Sequence, residues 1–439
     1  MPTETPPQTP RNSIAIPGLR PPAPSTATPV RPNITGAATA PGQRTFSFDQ
    51  IVSTMLHEAD GASDLLFVVG RPPQIELHGK LKGVQMEGLW PALMPAHVEA
   101  IAGKLMAGND RLASDFKNNG SCDTSYTVPD LARFRVNIFR NNGNHAIVMR
   151  KLSTKIPSLA GLGLPSIFRD MTAEKTGLIF VTGATGSGKT TTLAAMLNEI
   201  NQEQEIHMVT LEDPIEFLHP HQKATFSQRE LGKDFSDFGV GLRAALRQAP
   251  KVILVGEIRD RETMEIALTA AETGHVVYST LHTISAAQSV NRVIGMFSVE
   301  EQEQVRQRLA DTLRFVVSQR LAPKIGGGRV MVSEIMGSNL RTRETILLGE
   351  NDARSFHEII EASSQAGWHS FEQTLVRLFV EEKITEETAL IYSVNKSAIR
   401  KALDMAKKTI GPKDDAPSGF RLNHEASHRP PPLPVRPAA

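Results

Sequence analysis

"GLIFVTGATGSGKTTTLAAMLNEI", residues 177–200, holds three patterns in one run. Its opening, "GLIFVT", is almost continuously apolar, as in a strand buried on both faces. The middle, "GATGSGKT" from Gly183 to Thr190, meets the phosphate-loop pattern G-x-x-x-x-G-K-[ST] at every required position. The remainder contains neither glycine nor proline and suits a helix. Strand, loop and helix in that order turn backbone N–H groups toward one point at a helix N-terminus, where the helix dipole also favours an anion. The reading assigns Gly183, Ala184, Thr185, Gly186, Ser187, Gly188, Lys189, Thr190 and Thr191 to the phosphates of ATP. Lys189 is expected to reach the β/γ-phosphates, and the Thr190 hydroxyl to ligate Mg2+.

On either side of this loop, from about residue 165, strand and helix patterns alternate. After the helix come "IHMVTLED", a helix near 236–248, "KVILVGE", a helix over 261–273 and "HVVYSTL". That alternation predicts a parallel sheet covered by helices, an α/β fold. Beyond Pro323 a glycine-rich turn, a strand "RVMVSEIM" and helices through "AIRKALDMAKK" complete a unit expected over 166–410.

Two acidic clusters end strands of that sheet, the edge where open α/β sheets place their ligands. "VTLEDPIEF" carries Glu212, Asp213 and Glu216, and "VILVGEIRD" carries Glu257, Arg259 and Asp260. In the second, four apolar residues lead to the acid, so Glu257 is expected to orient a water and accept its proton.

Preceding this unit, 45–152 reads as mixed α and β. "FDQIVSTMLHEA" and "HVEAIAGKLMAG" have helical spacing. "SDLLFVVG", "QIELHGKL", "CDTSYTV", "ARFRVNIFR" and "HAIVMRKL" read as strands. "LSTKIPSLAGLGLPS" supplies a punctuated linker over 153–165. More than half of the 29 prolines fall in 1–44 and 411–439, which read as disordered tails.

The 439 residues carry a net charge of +1, 40% hydrophobic residues and one cysteine, Cys122. Near-neutral charge gives no bulk attraction to nucleic acid or to an anionic membrane. A lone cysteine excludes an internal disulfide framework and a multi-cysteine zinc site. No apolar run approaches the roughly 20 residues of a membrane span, so a cytoplasmic protein without membrane insertion is expected.

"TGHVVYSTLHT", 273–283, raises a possible histidine metal pair. Strand geometry separates His275 from His282 by roughly 20 Å, too far for one ion. His282 then falls on the phosphate side of the sheet, and His275 at the opposite end as a packing or subunit-contact residue.

Taken together, "GATGSGKTTTLAAMLNEIN", "TLEDPIEF", "LRAALRQAPKVILVGEIRD" and "AAETGHVVYSTLHT" resemble the secretion and type IV pilus ATPase superfamily, as its Walker A, Asp box, Walker B and His box. "SDLLFVVGRPPQIELHGKL", "LARFRVNIFR" and "GGGRVMVSEIM" resemble its pilus-retraction branch. The resemblance covers about 45–400. It implies an N-terminal PAS-like domain, a C-terminal RecA-like ATPase domain and a homohexamer acting on an inner-membrane pilus platform protein, which places the protein peripherally at that membrane. It further implies that Arg133, Arg135 and Arg140 reach the phosphates of ATP, that His282 senses the γ-phosphate, and that His275 and Arg259 serve sensing or subunit contact. Both Glu216 and Glu257 are candidate catalytic carboxylates in the family, and we assign Glu257, with Glu212, Asp213 and Glu216 then expected to position metal and water. Pro250-Lys251 departs from the family's Pro-Asp, and "NLRTRETILLGE" only loosely matches its Ala-Ile-Arg motif. A main retraction motor, an accessory or secretion-system paralogue and a nucleotide-gated scaffold all stay open on sequence.

Overall fold

A computed structural model describes residues 47–58, 61–85, 91–152 and 155–410. Both expected tails lie outside the described residues, as do 153 and 154 of the expected linker.

The first unit comprises α1 (Phe48–His57), β1 (Asp64–Val68), β2 (Gln74–Leu77), β3 (Lys80–Gly83), α2 (Pro95–Met106), α3 (Asp110–Asn119), β4 (Ser121–Val128), β5 (Ala132–Asn141) and β6 (Asn144–Leu152). Its strands form one antiparallel sheet in the order β3-β2-β1-β6-β5-β4. A strict inward alternation on β5 buries Phe134, Val136 and Ile138 against Phe48, Phe67 and Ile101 of the same core. The opposite face of β5 carries Arg133 and Arg135, and that face meets the second unit.

"QIELHGKL" departs from the expected single strand. His78 and Gly79, with φ of 52° and 77°, make a two-residue turn, and Leu77 pairs with Lys80 across it. Positive φ at both central residues matches the twist of a tight hairpin, and His-Gly fills the role that Asn-Gly usually takes. Helix α3, absent from the sequence expectation, is capped by Asn109 and closed by left-handed Gly120.

The second unit runs through α4 (Ile167–Ala173), β7 (Gly177–Thr182), α5 (Lys189–Glu203), β8 (His207–Glu212), β9 (Thr225–Glu230), α6 (Phe238–Ala245), β10 (Val252–Val255), α7 (Arg261–Glu272), β11 (Val276–Leu281), α8 (Ala286–Ile294), α9 (Gln302–Thr312), β12 (Leu313–Pro323) and β13 (Arg329–Gly337). Helices α10 (Leu340–Leu348), α11 (Phe356–Ala362), α12 (Phe371–Val380), α13 (Glu386–Tyr392) and α14 (Lys396–Ile410) follow. The sheet order is β13-β12-β7-β11-β10-β8-β9, parallel except for the β12–β13 hairpin. Strands β9 and β12 add to the expected set.

Every residue of β7, β10 and β11 is buried, as the unbroken apolar runs imply. Alternation then divides them between two cores. Phe180, Ile253, Val255 and Val277 face one helical layer, while Val181, Leu254, Val276 and Tyr278 face the other. Each fully buried aliphatic side chain in these layers contributes about 1.5–3 kcal/mol of transfer free energy. The buried Tyr278 hydroxyl donates to the Met171 carbonyl at 2.9 Å, which pins α4 to the sheet. Leu159 is buried in the same layer, so the chain between the units packs on the second core.

Strand order brings the site together. β11 lies between β7 and β10, with Leu281 beside Thr182 and Ser279 beside Val255. The chain therefore leaves the sheet at Gly183, His282, Gly256 and Asp213 along one edge, the carboxyl ends of the parallel strands.

Candidate functional site: a cleft between the two units

The phosphate loop turns on three glycines with positive φ, Gly183 at 144°, Gly186 at 78° and Gly188 at 90°. At Gly183 the requirement is also spatial, since a Cβ there would stand 2.5 Å from the Gln319 carbonyl oxygen. Gly188 is the N-cap of α5 and has no side chain to offer its first turn. The first-turn residues Lys189, Thr190 and Thr191 line the cleft without a side-chain cap on their N–H groups, an arrangement that suits a phosphate. Lys189 folds across the loop and donates to the Gly183 and Ala184 carbonyls at 2.9 and 3.1 Å. Burial lowers its pKa, opposed by the charges of Glu257 and Glu216.

A cleft of about 560 Å3 opens over this loop, with Thr185, Gly186, Lys189, Thr190 and Thr191 on its floor. That volume lies within the usual range for small-molecule sites. Asp213, Glu216 and Glu212 line it from the end of β8, and Glu257 and Arg259 from the end of β10. His282 enters after β11, and Arg135 reaches in from the first unit.

Each acid has a different surrounding. Glu212 is buried and accepts from Thr210 Oγ1 at 2.7 Å and Gln228 Nε2 at 3.1 Å. Burial outweighs those bonds and pushes its carboxyl up to about 7. Glu216 is raised by burial as well, with the Thr190 hydroxyl, Arg135 and Lys189 pulling the other way. Asp213 is raised by burial against the charge of Arg135. Glu257 pairs with Arg259 at 2.5 Å and stands 3.7 Å from His282 Nε2.

The structure thus gathers Lys189, Thr190, Glu212, Asp213, Glu216, Glu257, Arg259, His282 and Arg135 around one cleft. Gly183, Ala184 and Ser187 complete the loop behind its lining residues. Three other residues go elsewhere. Arg133, although on the same face of β5 as Arg135, is drawn into an ion pair with Glu230. Arg140, on the opposite face near the strand's end, lies 5.4 Å over the Phe116 ring, away from the phosphate loop. His275 sits before β11 with Nδ1 3.0 Å from the Ala270 carbonyl, at the opposite end of the strand from His282.

Sequence reasoning missed residues contributed by β12. Gln319 is buried and donates from Nε2 to the Ser187 carbonyl at 2.8 Å, tying the phosphate loop to the next strand. Leu321 and Arg329 line the cleft from the hairpin. Thr280 Oγ1 donates to the Gly256 carbonyl at 2.7 Å and fixes the turn before Glu257. Motif patterns did not contain these roles, because they depend on which strand neighbours β7.

The oxygen-only donor set beside Thr190, a hydroxyl with the Glu216 carboxylate and the nearby Asp213 and Glu212, suits a hard cation such as Mg2+. Among the described residues no group of three or more His, Cys, Asp and Glu would hold a metal by itself. Mg2+ ordinarily keeps waters and takes substrate phosphate oxygens as further ligands, so a sparse protein set is what it needs.

A phosphate loop at the carboxyl edge of a parallel sheet, with acids from two neighbouring strands, defines a RecA-like P-loop ATPase. Comparison narrows the class. Residues 49–370 match the family described as type II/IV secretion system protein, and the chain belongs to that family. It is 41% identical over 329 residues to the type IV pilus retraction ATPase PilT of Pseudomonas aeruginosa, covering 75% of this chain and 93% of that protein. Identity to the type IV pilus ATPase PilU of the same organism is 34% over 363 residues, covering 82% of this chain and 92% of that protein. The fold matches a crystal structure of the pilus retraction motor PilT with bound ADP at a TM-score of 0.72 and 37% identity, over 81% of this chain and 99% of that one. It also matches the ATPase DotB of Legionella pneumophila at a TM-score of 0.68 and 29% identity, over 80% and 97%.

Proposed function

We propose that the protein is a Mg2+-dependent, hexameric ATP-hydrolysing motor that powers retraction of type IV pili. In this reading the first unit is a PAS-like domain, and the ring acts through an inner-membrane platform protein, peripherally at that membrane. Among the described residues no helix is long and apolar enough to cross a membrane. The observation that carries the reading is the make-up of the cleft: Arg135 of the first unit lines the same cavity as Lys189, Glu216 and Glu257 of the second. A ligand shared by two units can change their relative position when its charge changes, which is what a motor requires.

The steps follow from the placement of side chains. The Gly183–Thr191 loop and Lys189 bind the phosphates, and Arg135 adds positive charge from across the cleft. Thr190, Glu216 and the neighbouring Asp213 and Glu212 would hold Mg2+, which supplies charge neutralisation at the β- and γ-phosphates. Glu257, anchored by Arg259, orients the attacking water and accepts its proton. His282, 3.7 Å from Glu257, hydrogen-bonds the γ-phosphate and reports its loss. Phosphate release from Mg2+-ATP by the purified protein, absent in Lys189→Ala, tests the enzymatic part. Nucleotide binding without phosphate release would make the protein a nucleotide-gated scaffold instead. An accessory or secretion-system role is a second reading, favoured by the similarity to PilU and DotB over nearly the full length of each.

A further inference from the structure

Arg133 and Arg135 leave β5 on the same face two residues apart, yet only Arg135 lines the nucleotide cleft. Arg133 Nε donates to the Ile215 carbonyl at 3.0 Å, Nη1 to Thr127 Oγ1 at 3.0 Å, and Nη2 to Ser125 Oγ at 2.9 Å. Nη2 also forms an ion pair with Glu230 Oε2. Four of the five guanidinium donors are thereby occupied, which leaves the group little to offer a phosphate. Its side chain is only 13% exposed and that of Glu230 4%.

Glu230 is the hub of this contact. It receives Ser125 Oγ at 2.7 Å and Lys233 Nζ at 2.7 Å, and the Ile215 N–H donates to its Oε2 at 3.3 Å. Burial pushes its carboxyl up, but Lys233, Ser125 and Arg133 more than offset this and hold it below the usual range. Arg133 and Ser125 belong to the first unit, Glu230 and Lys233 to the second. The residue gripped from both sides is Ile215, whose N–H, in the peptide from Pro214, donates to Glu230 and whose carbonyl, in the peptide to Glu216, accepts from Arg133. Its neighbour is Glu216, the carboxylate that meets Thr190 at the phosphate loop.

We propose that Arg133 is a positioning residue: from the first unit it clamps the backbone of Ile215 together with Glu230, and so sets the turn that carries Glu216 against Thr190. The division of labour on β5 is then between Arg135, which faces the phosphates, and Arg133, which holds the acidic turn. The proposal rests on the ATPase reading for its catalytic consequence but not for the clamp itself. Clamping works only while the two units are docked, so the geometry of the acidic turn depends on domain position. Misplacement of a catalytic group by about 1 Å can lower the rate on the order of 100-fold without weakening ground-state binding.

The test compares Arg133→Gln, Glu230→Gln, the double variant and Arg135→Gln in the full chain. It measures Mg2+-ATP turnover, affinity for a fluorescent ATP analogue, and amide hydrogen exchange of the 213–217 segment. The clamp predicts that Arg133→Gln lowers kcat at least roughly 10-fold while the Kd for nucleotide stays within about 3-fold. Exchange at 213–217 should quicken in Arg133→Gln and Glu230→Gln, and the double variant should be no slower in turnover than the worse single one. Arg135→Gln should instead raise Kd and leave exchange at 213–217 as in the wild type. Loss of nucleotide affinity in Arg133→Gln matching that in Arg135→Gln, unchanged kcat, or multiplicative losses in the double variant would each overturn the proposal. If Arg133→Gln does not fold, Ser125→Ala removes the hydroxyl that bridges Arg133, Glu230 and Lys233, and should move exchange in the same direction by less. A wild-type protein without turnover would sink the ATPase reading, whereas the exchange measurement decides the clamp independently.

Discussion

Glu257 follows a fully buried strand by two residues, and its carboxylate is anchored on one side by Arg259 and approached on the other by His282. Glu216 is tied to Thr190 and influenced by Lys189 and Arg135, surroundings suited to a cation and phosphates. The two acids therefore have separable tasks. Glu257→Gln should retain ATP binding and lose turnover by about 100-fold or more, as removal of a general base does. Glu216→Gln should restore part of its loss at high Mg2+, and steady-state kinetics over a Mg2+ series checks both. Wild-type turnover in Glu257→Gln would transfer the role to Glu216. Glu212 makes a second prediction at this scale. Its carboxyl is raised to about 7 from 4.5, so the folded state holds its proton more tightly than the unfolded chain does. The associated stability is full below the unfolded value and is lost as pH rises toward 7, on the order of 3 kcal/mol. Glu212→Gln should thus unfold at higher urea than the wild type at pH 8 and nearly alike at pH 4.5. Asp213 and Glu216, also raised by burial, leave a residual slope of the same sign. These acids were legible because the clusters that hold them follow apolar strands. That Arg133 is spent on Glu230 was not, since strand alternation assigns a face but not the partner across it.

Strand β12 shows at the scale of elements what the phosphate loop depends on. The loop is closed against β12, with the Gln319 carbonyl oxygen 2.5 Å from where a Gly183 Cβ would stand and the Gln319 amide donating to the Ser187 carbonyl. Gln319→Leu keeps the volume and removes that donor, leaving the Ser187 carbonyl buried without it. The expected cost is about 1–3 kcal/mol. It should be read as an approximately 5-fold or larger loss of nucleotide affinity if the cost falls on the loop, with urea unfolding showing how much reaches the global fold. The alternating pattern of strands and helices was readable from 177 to 281, β9 apart, because β7, β8, β10 and β11 are short apolar runs between turn signals, whereas β9 reads TFSQRE and has a single large apolar residue. β12 carries Arg314, Ser318, Gln319 and Arg320 among its apolar residues and follows α9 directly, so composition hid it. The β2–β3 hairpin was hidden differently, its turn being two residues of an otherwise continuous alternation.

Over the whole molecule, the nucleotide cleft and the Glu230 cluster are two contacts between the same pair of units. One of them changes charge when ATP is hydrolysed, while the other holds the acidic turn only in the docked arrangement. A ring built from such chains would convert each hydrolysis into a displacement of the first unit against the second. Hexamers should therefore be seen by light scattering with Mg2+ and nucleotide. The measurement that bears most directly on the motor is retraction of fluorescently labelled pili in a deletion strain complemented with wild type or with Glu257→Gln. Surface pili should be retained and fail to retract in the deletion strain and in the Glu257→Gln strain, with retraction restored by wild type. Retraction at the wild-type rate in the deletion strain would contradict the motor reading.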